Sequence, residues 1–204
     1  MSRYVAITAA VLLLATTTGG CLTNDGNEAG EEHVITASLG SMLLTTDDLP
    51  DGYTMPRDDN ESGDRWQEKP LIERHDRNFR PKDENATGLP VIEIDAYTYH
   101  STADATTALH SAAPEMRRFL STEFNRTTPP VVETVGDNST LERFQGQTNG
   151  THIYSNLTWT YILFRVNNVL TLLTLWGDTD WDVDQVALTV GYAETMAQRM
   201  EHEA

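Results

Sequence analysis

The residues beyond position 38 predict an α+β domain, a twisted and mostly antiparallel sheet with helices packed on it. Three observations lead there. At the C-terminus Val183, Val186, Ala187, Val190, Ala193, Met196, Ala197 and Met200 recur at three- and four-residue spacing, the stripe of an amphipathic helix docked on a sheet. Residues 159–165 and 169–176 form two strongly apolar arms around Asn167-Asn168, two residues that tolerate positive φ, which predicts a hairpin central in the sheet. Ile92, Ile94 and Ala96 alternate with Glu93, Asp95 and Tyr97, a strand with one wet face. About 165 residues are available, enough for one domain with a real core.

From the N-terminus, the chain begins with Arg3, an apolar run over 5–15 and small residues up to the single cysteine, Cys21. That run is too short to span a bilayer and has the order of an export signal, so 1–20 is expected to be a signal peptide. Arg3 stands alone where a twin-arginine signal needs two, so either the general secretory route or a true start further upstream is expected. Thr18-Gly19-Gly20-Cys21 has the small residues of a lipobox and lacks its leading apolar residue. Cys21 is the expected lipidation site, and a stable anchor there needs two acyl chains. Residues 21–38, polar, acidic and glycine-containing at first, are expected to be a flexible tether, with one domain over 39–204. Without a second cysteine the fold cannot depend on a disulfide.

Within the domain, 33–44 is a short strand or helix, and 43–53 a single helical turn ended by Pro50 and followed by a Pro-Asp-Gly turn. Residues 58–64 and 80–89 are expected to be loops. Between them 66–79 is expected to be a helix, with Trp66, Leu71, Ile72 and Phe79 inward and Pro70 in its first turn. After the strand from Val91, Ser101 caps a helix with Ala105, Leu109 and Ala112 on one side and Asp104 at N3. Pro114 breaks or restarts it, and Met116, Phe119 and Leu120 face inward beyond. Residues 131–135 are a strand, Gly136-Asp137 a turn and 141–144 a return strand.

Several of these segments carry a resemblance. The Leu-Leu-x-x-x-Asp-Leu-Pro-x-Gly-Tyr opening at 43–53, Val135-Gly136-Asp137 and the Phe-Arg-x-Asn-Asn hairpin at 164–168 resemble extracytoplasmic lipoproteins of the PsbP-like fold and the PknH-type extracytoplasmic sensor domain. The resemblance spans most of 40–200 and implies a non-catalytic accessory or ligand-sensing protein, with no catalytic motif to carry over.

Charge points to the surroundings. The full chain carries −17, and past residue 20 it has 13 basic against 31 acidic residues, a net −18. Only Lys69 and Lys82 are lysines. An acidic, lysine-poor surface resembles proteins of extremely halophilic archaea, and repels itself unless salt shortens the Debye length to about 3 Å near 1 M. No Lys/Arg stripe exists to displace counterions, so nucleic acid is excluded as a partner. Asn60, Asn85, Asn125, Asn138, Asn149 and Asn156 open N-x-S/T triplets where chance predicts about 2, which makes them glycosylation candidates on an exported surface.

Chemistry is sparse. Asp178, Asp180, Asp182 and Asp184 alternate like calcium ligands, yet a calcium loop counted from Asp178 needs glycine where Val183 stands and glutamate where Thr189 stands. Asp178, Asp180 and Asp182 are weak metal candidates, and such acids more simply cap a helix. Glu73, His75 and Asp76 could gather around a metal or a proton, or form a solvated helix face. No zinc, nucleophile-elbow or phosphate-loop motif occurs, so no catalytic residue and no cofactor is predicted. Trp66, Tyr99 and Trp159 are speculative ligand-binding residues, in a groove between the helix-free sheet face and 66–79.

The expected function is a lipoprotein on the outer side of the cell membrane, held by the lipid on Cys21. It would bind a ligand or serve an unknown protein or small-molecule partner without catalysis. A surface hydrolase with two facing carboxylates in a cleft is the alternative. A solute-binding subunit of a transporter is the third class, disfavoured by the absence of room for two lobes.

Overall fold

The computed structural model describes residues 34–62, 71–83, 89–122, 124–128, 131–146, 157–178 and 184–204. The expected signal peptide, Cys21 and the expected tether up to 33, with Trp66, Asn85, Asn149, Asn156, Asp180 and Asp182, lie outside them.

In chain order the elements are α1 (Leu39–Met42), a 3-10 turn (Thr46–Asp48), β1 (Tyr53–Ser62), β2 (Leu71–Pro81), β3 (Val91–Tyr99), α2 (Thr102–Leu120), β4 (Phe124–Thr127), β5 (Asn138–Gly146), β6 (Leu157–Val166), β7 (Val169–Asp178) and α3 (Gln185–His202). The strands make one antiparallel sheet in the order β1-β2-β3-β7-β6-β5-β4. Two meanders, β1 to β3 and β4 to β7, meet where β3 pairs with β7, and α2 carries the chain from the first to the far edge of the second. The β6–β7 hairpin is central, as its double-sided apolar arms require.

Helices cover both faces. The first core holds Leu39, Met42, Leu43 and Leu44 with Ala193, Met196 and Met200 of α3, over Phe79, Ile92, Ile94, Ile162, Phe164 and Leu173. The second holds Ala105, Leu109, Ala112, Met116 and Leu120 of α2 over Tyr97, Tyr99, Phe144, Tyr161, Leu163, Leu170 and Leu172. Period-2 alternation divides each strand between the two layers. Among the described residues no helix is long and apolar enough to cross a membrane.

Both helix caps follow the sequence. Ser101 Oγ accepts from the Asp104 amide at 3.1 Å, and Asp184 accepts from Val186 and Ala187 at 3.0 and 3.2 Å.

Several expectations are corrected. Residues 71–79 belong to strand β2 and not to a helix. Leu71 and Phe79 are buried as expected, but Ile72 faces solvent. The charged residues between them misled the periodicity: Glu73, His75, Asp76 and Arg77 are buried because each has a partner inside the fold. Residues 58–62, expected as loop, complete β1; an edge strand with only Tyr53 buried shows no apolar period. Pro114 interrupts nothing, since α2 is continuous through it and the ring is exposed. Phe119 is exposed and not inward. Residues 131–135 form no strand, Val131 being fully exposed, and the strand that precedes them is β4.

The packed body also reaches further toward the N-terminus than 39. Ile35 is fully buried, its amide donating to Asn168 Oδ1 at 2.7 Å while Asn168 Nδ2 donates to the Ile35 carbonyl at 3.2 Å.

Candidate functional site

Two polar clusters are buried, one on each side of the β1–β2–β3 meander. On the α1 side, Glu73 accepts from Ser38 Oγ, the Leu39 amide and Asn60 Nδ2. Arg77 donates to the carbonyls of Gly40 and Leu44 and to Asp58 at 2.8 Å, and His75 Nε2 lies 2.6 Å from the same Asp58 oxygen. Burial alone would raise Asp58, but the hydrogen bonds from Arg77 and His75 outweigh it and hold the carboxyl below its ordinary value. A Cβ on Gly40 would lie 3.0 Å from His75 Cε1, so any larger residue would have to displace the ring that Asp58 holds. Most of the donors and acceptors of this cluster tie residues 38–44 to β2. Its work is attachment.

The other cluster lies on the α2 side. Register places Asp59, Asp76 and Asp95 in one row across β1, β2 and β3, with Leu172 of β7 next. The row on one side reads Arg57, Asn78, Glu93, Thr174 and Tyr161; the row on the other reads Glu61, Arg74, Tyr97 and Leu170. Asp76 and Asp95 are 7% and 4% exposed, a depth at which two bare carboxylates could not coexist. Arg74 Nη2 bridges them, 2.8 Å from Asp76 Oδ2 and 3.1 Å from Asp95 Oδ1, and Arg57 adds a contact to Asp76 Oδ2 at 3.0 Å. Burial first, then the facing Asp76 carboxyl, holds Asp95 well above the ordinary carboxylate range. Asp76 Oδ1 is buried and has no hydrogen-bond partner among the described residues.

Glu93 extends the cluster. Burial pushes its carboxyl up, against hydrogen bonds from Trp176 and from Asn78, the latter at 3.0 Å. The Trp176 ring stacks on Trp159 at 5.5 Å and 8°, and Trp159 meets Phe124 at 5.9 Å. Trp159 Nε1 and Tyr161 Oη are buried on this face without a hydrogen-bond partner. Such groups cost about 1–3 kcal/mol each unless something answers them. Further along, Glu142 is held by Arg117 of α2 and Arg126 of β4, an ion triad that staples helix to sheet.

Of the predicted ligand-binding residues, Trp66 lies outside the described residues, and Tyr99 and Trp159 lie apart. Tyr99 ends β3, buried under α2, with its carbonyl taken by Asn168 at 2.7 Å. Trp159 lies in the row of Trp176 and Val91, eight residues away along β3, or about 26 Å. Asp178 is exposed at the end of β7, and among the described residues no group of three or more His, Cys, Asp or Glu could hold a metal. Glu73, His75 and Asp76, considered together as a proton or metal site, are split: a strand sends the first two to the α1 side and Asp76 to the other. Asp95, read as a wet-face residue, is the acid that reasoning from sequence missed. Its only signal was its alternation opposite Ile94 and Ala96, which cannot reveal a second helix layer.

No family model matches the chain, and no curated protein matches it. Among solved structures it is similar to the extracellular domain of PknH from Mycobacterium tuberculosis, with a TM-score of 0.56 and 5% identity, covering 79% of this chain and 94% of that one. At that identity the likeness is one of fold.

Proposed function

We propose that this chain is a non-catalytic, extracytoplasmic sensor or accessory domain, held at the outer side of the membrane by a lipid on Cys21. The observation that carries the reading is the likeness of most of the chain to nearly the whole length of an extracellular domain. It agrees with the export signal and single cysteine at the N-terminus. The anchor is tested by Cys21→Ser: the wild-type protein is expected in the membrane fraction with an acylated N-terminal cysteine, and the variant in the soluble exported fraction. A variant that stays with the membrane refutes the anchor.

A second reading, a carboxylate hydrolase, is favoured by one observation, the facing Asp76 and Asp95 with the latter raised. The depth of both acids and the arginine across them favour the first. Turnover of chromogenic esters or glycosides by the wild type, abolished in Asp95→Asn, would reverse that order.

A further inference from the structure

We infer that Asn125 is a glycosylated asparagine of the sheet, that Asn60 is not, and that the glycan on Asn125 covers the open edge of β4. The inference rests on the export reading, since the modification needs an exported chain.

Three of the six N-x-S/T triplets lie in described strands, and their asparagines differ in what their amides do. The modification uses Nδ2: its bond to hydrogen is replaced by a bond to the anomeric carbon of a glycan. The bond from that carbon to the phosphate oxygen of an activated glycan donor breaks, and the released proton goes to the departing phosphate or to water. Asn60 Nδ2 is already engaged, donating to Glu73 Oε1 at 2.7 Å beside the contacts that hold Leu39. A glycan there would leave Nδ2 a single hydrogen and push a sugar against Glu73 and the attachment of α1. Asn138 starts β5, half-buried and opposite Arg165. Asn125 is exposed, and among the described residues its side-chain amide has no hydrogen-bond partner. It pairs with Gln145 and alternates with Phe124 and Arg126, so it points away from the α2 layer.

The sheet itself gives this position a purpose. An edge strand offers unpaired N–H and C=O groups to any second strand, and proteins blunt that offer with proline, charge, bulges or cover. At one edge, β1 carries Pro56 in a break of register between Thr54 and Arg57, with Arg57, Asp58, Asp59 and Glu61 along it. At the other edge β4 has neither proline nor bulge. Its one charge, Arg126, is tied to Glu142, and Thr127 Oγ1 donates to the Arg143 carbonyl. No described strand pairs with its outer side. Asn125 is the group on β4 free to carry a cover.

Glycopeptide mapping of the full protein, purified from cells that export it, is expected to find a glycan on Asn125 and bare Asn60. Asn125→Gln should lose one glycan mass and, at equal concentration, elute with about double the wild-type mass by light scattering. Thr127→Ser, which keeps the triplet, should keep both the glycan and the monomer. Circular dichroism of Asn125→Gln, unchanged, separates edge pairing from misfolding. A bare Asn125, a glycan on Asn60, or a well-folded Asn125→Gln that stays monomeric each overturns the inference. If the protein starts at Cys21 with glycans elsewhere, the export reading survives that failure. If it starts at Met1 with no glycan at all, both fall.

Discussion

Asp95 is buried beside the Asp76 carboxyl, and the upward push of burial on its pKa gives its contribution to stability a definite sign. Its folded pKa is raised, so the folded state binds the proton more tightly than the unfolded chain does. The stabilisation is complete below the ordinary carboxylate value of about 4 and fades as pH rises through the folded value. Asp48 and Asp58 work the other way. Burial would raise each, but Arg199 for Asp48 and Arg77 with His75 for Asp58 outweigh it and lower both. Their contribution is present above the unfolded value and lost as pH falls through the folded one. Asp95→Asn keeps a donor facing Asp76 without a titrating proton. It is expected to flatten the decline in stability above about pH 4 while leaving the acid limb unchanged, as read from urea midpoints across pH. An unaltered slope would mean that the fold does not raise the Asp95 carboxyl. The sequence showed Asp95 as one polar residue in an alternating strand; whether the alternate face was wet depended on α2, which packs there from elsewhere in the chain.

At the scale of elements, short motifs of the sequence turn out to be joints. Val135 enters the core, Gly136 takes φ +61 against the hairpin, and Asp137 accepts from the Asn167 amide at 2.7 Å and pairs with Arg165 at 2.9 Å. A Cβ on Gly136 would stand 2.5 Å from the Arg165 carbonyl oxygen, so the glycine is required twice over. In the hairpin turn only Asn167 has positive φ; Asn168 is there for its side chain. That side chain binds both backbone groups of Ile35 and the carbonyl of Tyr99, joining the entry of the domain to the end of β3. Asn168→Ala leaves those groups buried and unanswered and is expected to cost about 3 kcal/mol, with the segment around Ile35 losing hydrogen-exchange protection first. A loss under about 0.5 kcal/mol would show that the segment is held by apolar packing alone. The turn was legible because asparagine pairs are turn residues. The clamp was not, since its partner lies 133 positions away.

The whole molecule is an acidic shell around two apolar layers. Its net −17 has few lysines to offset it, and of the cations that lie deep Arg74 is held by the buried Asp76 and Asp95 and Arg77 by Asp58. Lowering salt to about 50 mM lengthens the Debye distance to roughly 14 Å and lets surface acids repel across several residues. Far-UV circular dichroism is expected to fall after dialysis from molar salt and to return when salt is restored; an unchanged spectrum would remove salt dependence from the account. What the sequence by itself determined is the α+β class, the central hairpin, the capped C-terminal helix and the strand from Val91, because each is written in a local period of apolar residues. Only the tertiary structure decided that 71–81 is a strand, that Asp76 faces Asp95 and that Ile35 belongs to the body. Those outcomes depend on partners distant along the chain, and a buried charge shows in sequence only as a charge until the residue that neutralises it is in place.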